Sequence, residues 1–121
     1  MYTKVENWLN NVLIQEIPEE VAAFNFNIYE DEGCNWSIEV VGTGSFDEED
    51  EDWACDEVTD FGTRENPLSW QEEAGWNEVL EEIMSVLKQY LNKGMYADVL
   101  KAGEGVGAGF VDGDIEILYS K

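Results

Sequence analysis

Histidine is absent from this chain of 121 residues. That removes the commonest general base at neutral pH, and with it any Ser-His-Asp or Cys-His arrangement. Basic residues are scarce as well. Six Lys and Arg face 28 Asp and Glu, for a formal net charge of −22, where designed surfaces of small domains carry about 2 to 8. Such a field repels nucleic acid and anionic membrane, and it speeds encounters with cations or basic proteins. Nucleic-acid binding is set aside on that ground, although solubility alone accounts for part of the excess. No apolar run approaches the length of a membrane span, and no basic and then apolar segment opens the chain. Neither membrane insertion nor secretion is therefore expected, and the cytoplasm is the simplest location. The two cysteines, Cys34 and Cys55, lack the tight spacing of a metal knuckle or redox motif. A disulfide between them is geometrically possible if their strands pair, but in a reducing compartment they read as two free, mostly buried thiols.

What is present is enough for a core. Apolar residues make up 44% of the chain, with five each of Trp, Phe and Tyr. At this length roughly two-thirds of the unfolded surface can be buried, which favours one compact domain over residues 1–121 and argues against disorder.

Hydrophobic spacing gives the element order. Thr3 and Glu6 fit a capping box, and Val5, Trp8, Leu9, Val12, Leu13 and Ile17 recur at helical spacing. A helix is expected over about 4–16, closed by Pro18. Phe24, Phe26 and Ile28 then alternate with Asn25, Asn27 and Tyr29, a strand with one wet face. After a turn at 30–33, Trp36, Ile38 and Val40 continue the alternation until Gly42 and Gly44. A third strand over about 53–58 is expected antiparallel to the second, with "TDFGTRENPL" as irregular connection. Ser69 and Glu72 suggest a second capping box. From there Trp76, Val79, Leu80, Ile83, Met84, Leu87 and Leu91 define a long amphipathic helix, ended near Gly94. A shorter helix with Tyr96, Val99 and Leu100 inward follows. Phe110-Val111 and Ile115 to Leu118 then flank "DGD", a hairpin signal. The fold class expected is α+β: an antiparallel sheet of about five strands, with one long and one or two shorter helices on one face.

One stretch concentrates the charge. Residues 45–53, "SFDEEDEDW", place six consecutive carboxylates between two aromatic residues. Calcium loops space their ligands around a Gly-marked turn and close with a distal carboxylate. Residues 47–52 have no internal Gly and no such spacing, and "DGDIE" at 112–116 is too short. No metal ligand is assigned; only loose cation condensation is expected. "GEGVGAGF" at 103–110 matches neither a phosphate-binding loop nor a dinucleotide fingerprint, and Glu104 opposes an anion. Small residues there read as letting a strand or bulge pack closely against a neighbouring helix. Paired carboxylates for glycoside hydrolysis cannot be singled out among so many acids, because catalysis needs one of them in an apolar pocket.

Charge as a recognition device is left. A row of carboxylates imitates a nucleic-acid backbone and suits a basic cleft on another protein, provided that apolar anchors give specificity. The expected partner-binding set is Asp47, Glu48, Glu49, Asp50, Glu51, Asp52, Trp53 and Asp56, with Phe46 and Trp70 as further candidate anchors. Trp53 opens an expected strand and Trp70 lies at an expected helix start, so each has an equal claim to be core. No catalytic residue and no cofactor is expected. If the acidic run is only a solvated loop, the outer sheet face near Asn25, Asn27 and Tyr29 is the next candidate.

The whole pattern resembles the small, acidic α+β immunity proteins found beside bacterial polymorphic and contact-dependent toxins. The resemblance rests on a Trp-bearing first helix, a β-meander with an acidic rim, the "SWQEEAGWNEVLEEIMSVLKQYL" helix and a closing "GAGFVDGDIEIL" hairpin. It implies a non-enzymatic inhibitor of one cognate toxin, often a nuclease; the basic surface expected of that partner follows from the charge of this chain. Two alternatives stay open: an acidic nucleic-acid mimic directed at another basic protein, and a small carboxylate-dependent enzyme.

Overall fold

The computed structural model describes residues 1–63, 66–111 and 113–121, with Thr59 and Asp60 described by their backbone alone. Helix α1 (Tyr2–Val12) buries Val5, Trp8, Leu9 and Val12 along one face. It begins before Thr3, and Met1 caps it without a side-chain bond, so the expected capping box does not form. It also stops a turn early. Leu13 still turns into the core, but Ile14 is 70% exposed, so nothing holds a further turn.

Strands β1 (Ala23–Glu30) and β2 (Asn35–Thr43) form an antiparallel hairpin, with Phe26 opposite Val40 and Ile28 opposite Ile38. The turn between them holds Gly33 at φ 69° and Cys34 at φ 60°. The Asp31 N–H donates to Asn35 O at 2.8 Å, and within the loop it closes both residues are left-handed, a conformation that is free for Gly33 and strained for Cys34. This explains one correction: Cys34 stands in the turn and Cys55 at the end of a 3₁₀ turn, and both thiols are free and exposed rather than buried.

The third strand starts later than its sequence suggests. Residues Glu51–Cys55 form the 3₁₀ turn, and β3 (Glu57–Gly62) follows it, antiparallel to β2 with a shift of register between Val41 and Gly42. Strand β4 (Leu68–Gln71) takes the place of the expected helix start. There Leu68 pairs with Ile38 and Trp70 with Trp36, so core contacts outweigh the capping signal. Glu72 serves two indoles instead of a cap. Its backbone oxygen accepts from Trp36 Nε1 at 2.9 Å and its carboxylate from Trp70 Nε1 at 3.1 Å.

Helix α2 (Trp76–Lys93) therefore starts at Gly75 and buries Val79, Ile83, Met84, Val86, Leu87, Tyr90 and Leu91. Trp76, expected in that stripe, is 59% exposed. Gly94 ends the helix in an extended conformation, not a left-handed one; a Cβ there would stand 2.5 Å from the Tyr90 ring. The short α3 (Ala97–Lys101) leads into β5 (Gly105–Phe110) and β6 (Glu116–Ser120).

Among the described residues the sheet has six strands in the order β3-β2-β1-β5-β6, with β4 also paired to β2. The expected purely antiparallel sheet is corrected at one seam: β5 lies parallel to β1, Phe24 beside Val106 and Phe26 beside Ala108. The long excursion through α2 and α3 supplies the crossover that a parallel pair needs. Phe24, Phe26, Ile28, Val106 and Ala108 share one face and join the buried residues of α1, α2 and α3 in one core. No helix among the described residues is long and apolar enough to cross a membrane.

Candidate partner-binding surface

The opposite face of the sheet has β5 as its flattest strip, because Gly105, Gly107 and Gly109 alternate with the core residues Val106 and Ala108. Residues 44–56 cross this face on the way from β2 to β3. The neck of the loop is closed by Thr43 Oγ donating to Ser45 O at 2.9 Å and Gly44 N–H donating to Asp56 O at 2.8 Å. Beyond it two aromatic rings descend onto the glycines. A Cβ on Gly105 would collide with the Phe46 ring, and one on Gly107 would stand 2.8 Å from Trp53 Cζ2. Phe46 and Trp53 meet edge to face, 4.9 Å between centroids, and Trp53 is only 4% exposed. The glycine row thus permits a close approach, but to a loop and not to a helix.

The loop backbone is ordered by its own acids. Asp47 Oδ1 accepts the Glu49 N–H at 2.9 Å, and Asp50 Oδ1 accepts that of Asp52 at 3.0 Å, capping the 3₁₀ turn. Glu51 reaches across to accept the Ile115 N–H at 3.3 Å. The side chains of Glu48, Glu49 and Asp52 are exposed and engage no described residue. All six carboxylates of the run stand in solvent, and so does Asp56.

Magnitudes decide whether such a loop stays seated. Each pair of exposed carboxylates repels by less than about 1 kcal/mol in water, and by less still in salt. A Trp ring covers on the order of 150–250 Å², so burying it contributes several kcal/mol. The aromatic seat wins, and the charge is carried on a platform. Trp53 therefore stands in the sheet–loop contact, where it positions the carboxylates beside it. Trp70 likewise lies in the core at 8% exposed. Phe46 is half-buried and floors an open groove of about 560 Å³, which is also lined by Asp47, Glu48, Glu49, Glu104 and Lys121.

No protein-family model, curated protein or solved structure matches this chain. Function has to be read from the surface itself.

The expected wet face of β1 is only partly wet. Asn25 is 1% exposed; its Nδ2 donates to Asn27 Oδ1 at 2.9 Å, and Asn27 Nδ2 donates to Glu39 Oε2 at 3.1 Å. Tyr29 also donates to Glu39, a carboxylate that is 1% exposed. Asn25 Oδ1 is buried without a hydrogen-bond partner, beneath the edge of Trp53. This is a polar ladder partly covered by the loop, and sequence alternation alone does not reveal the cover.

A carboxyl pair does exist away from the acidic run. Burial first, and then the charge and hydrogen bond of Glu72, raise the pKa of Glu82 above the ordinary glutamate value, while the Met1 amino group opposes the shift. Neither acid lines the groove that Phe46 floors. Among the described residues, no group of three or more acidic or cysteine side chains is arranged to hold a metal ion.

Proposed function

We propose that the chain is a stoichiometric binding protein that neutralises a basic partner protein with the loop of residues 44–56. The partner class is that of a cognate bacterial toxin, often a nuclease, following the resemblance to immunity proteins, and the site of action is the cytoplasm. One observation carries the reading: Phe46 and Trp53 seat the loop on the glycines of β5, while the side chains of Glu48, Glu49 and Asp52 are exposed and engage no described residue. A seated row of carboxylates has lost most of its loop entropy before the partner arrives, so less of the binding energy goes into ordering it. Long-range attraction raises the association rate, and the carboxylates desolvated at the centre of the interface slow dissociation. In this scheme Asp47, Asp50 and Glu51 shape the loop as well as carrying charge, Glu48, Glu49 and Asp52 make the contacts, and Trp53 is a positioning residue. Asp56 extends the charged surface from the far side of the neck.

The test is a titration of the partner, recovered by affinity capture, against the purified protein. Inhibition is expected to saturate at a fixed molar ratio and to leave the partner chemically intact. Full inhibition by catalytic amounts, with the partner chemically altered, refutes the proposal and moves the choice to an enzyme.

A further inference from the structure

A second concavity lies where β1 and β5 finish side by side, Ile28 beside Phe110. It is a cleft of about 470 Å³, and Tyr29, Glu30, Trp76, Phe110 and Val111 are among the residues that line it. Two of these are large apolar groups left open: Trp76 is 59% exposed and Val111 is 53% exposed. Trp76, the first residue of α2, meets Phe110 edge to face at 6.3 Å between centroids, and Phe110 is backed by the buried Trp36 at 6.1 Å. The indole is thus held by a stack that reaches the core, while more than half of its surface faces solvent. Glu30, which ends β1 opposite Trp36, is exposed at the rim, and its carboxylate engages no described side chain.

An indole face and a free carboxylate in one cleft select for chemistry. An anion is repelled by a chain of net charge −22. A purely apolar group would strip water from Glu30 and give it no counter-charge. A guanidinium is flat and weakly hydrated; it stacks on indole and pairs with a carboxylate, and its aliphatic stem can lie along Phe110 and Val111. We infer that this cleft receives an arginine side chain of the basic partner, with Trp76 as the stacking surface and Glu30 as the counter-ion. The inference rests on the reading of a basic protein partner, and it adds a specific pocket to a loop that supplies mainly charge. The β5–β6 hairpin links the two places: Val111 lines the cleft, and the Ile115 N–H is held by Glu51 of the loop.

The test uses ¹⁵N-labelled protein and blocked Gly-Arg-Gly, Gly-Lys-Gly and Gly-norleucine-Gly tripeptides, followed by NMR. Saturable shifts are expected at the Trp76 indole N–H and at the Phe110 and Val111 amides, strongest for arginine and weakest for norleucine. Trp76→Leu, and separately Glu30→Gln, should weaken arginine binding roughly two- to five-fold as read at Phe110 and Val111. Both positions are exposed, so both variants should keep the parent fold. Glu48→Gln/Glu49→Gln/Asp52→Asn should leave these shifts in place. Arginine shifts confined to residues 47–52, or two cleft variants that bind like the parent, overturn the inference. If the cleft shifts hold while the loop variant binds the whole partner normally, the cleft stands and the loop reading falls.

Discussion

Replacing Gly107 with Ala drives a single methyl group between the sheet and the acidic loop. Its Cβ would stand 2.8 Å from Trp53 Cζ2, 2.9 Å from Ile115 Cγ2 and 3.1 Å from Asn25 Oδ1. Asn25 sits in the central strand and cannot retreat, so the cheapest relief is for Trp53 to lift and carry the loop with it. Overpacking of this kind costs about 1–3 kcal/mol, and the entropy that Ala does not have to lose returns roughly 0.5–1 kcal/mol. A net loss of about 1–2 kcal/mol is expected. Trp53→Ala alone should cost about 3–5 kcal/mol, because it empties a buried site. In the double variant the two losses should not add. With the indole gone, the new methyl group meets only Ile115 and Asn25, and a coupling of about 1 kcal/mol should remain between the sites. Urea unfolding of the four proteins at constant m value measures it. Hydrogen exchange over residues 45–56 should accelerate in Gly107→Ala. Additivity within about 0.5 kcal/mol, with loop exchange unchanged, refutes the seating of Trp53 on Gly107.

Three further outcomes follow from other sites. Cys34 adopts φ 60° in the β1–β2 turn, which costs an L-residue about 1–2 kcal/mol, partly offset by the flexibility that Gly brings to the unfolded chain. Cys34→Gly should therefore raise stability by up to about 1 kcal/mol, a gain of roughly 3–5 °C in Tm, and a lower Tm contradicts the turn geometry. Glu82 has its folded-state pKa raised by burial and by Glu72, so the folded protein binds its proton more readily than the unfolded chain does. That contribution is present at acidic pH and lost as pH rises through the folded pKa. Glu82→Gln should flatten the fall in stability just above the ordinary glutamate pKa and leave the variant more stable at neutral pH; an unchanged profile in pH-dependent urea melts counts against the carboxyl pair. Calcium should stabilise the protein no more than magnesium at equal ionic strength, and a saturable micromolar calcium isotherm abolished by Asp50→Asn with Asp52→Asn shows a specific site instead.

Local periodicity made much of this fold legible. The alternation of Phe24, Phe26 and Ile28, its continuation in Trp36, Ile38 and Val40, and the stripe from Val79 to Leu91 all lie in the elements they suggest. What escaped was settled by distant contacts. Ser69 and Glu72 spell a helix cap, yet Trp70 finds Trp36 across a strand pair, and a four-residue strand has little period of its own. The parallel pairing of β5 with β1 joins residues about 80 positions apart, and no short-range signal encodes it. The seat of the acidic loop was half visible. Phe46 and Trp53 flank the acidic run, and Gly105, Gly107 and Gly109 recur every second residue, a same-face row able to receive two rings. Matching the two features requires knowing which face the loop crosses. Trp76 misled for a related reason: it continues the helical stripe in sequence, but as the first residue of α2 it meets Phe110 at the end of β5 and stays 59% exposed.

The central claim is that a seated row of carboxylates captures a basic protein. The most direct measurement is the association rate of the captured partner with the parent and with Glu48→Gln/Glu49→Gln/Asp52→Asn, by surface plasmon resonance at low and high salt. None of these three side chains engages a described residue, so the variant should fold at least as stably as the parent, with fewer like charges opposed. The variant should associate more slowly at low salt, depend less on salt and form a weaker complex, because desolvated charge contacts can each cost roughly 2–5 kcal/mol when broken. Parent-like association at both salts contradicts the claim, and would leave residues 47–52 as a solvated loop with the interface elsewhere on the molecule.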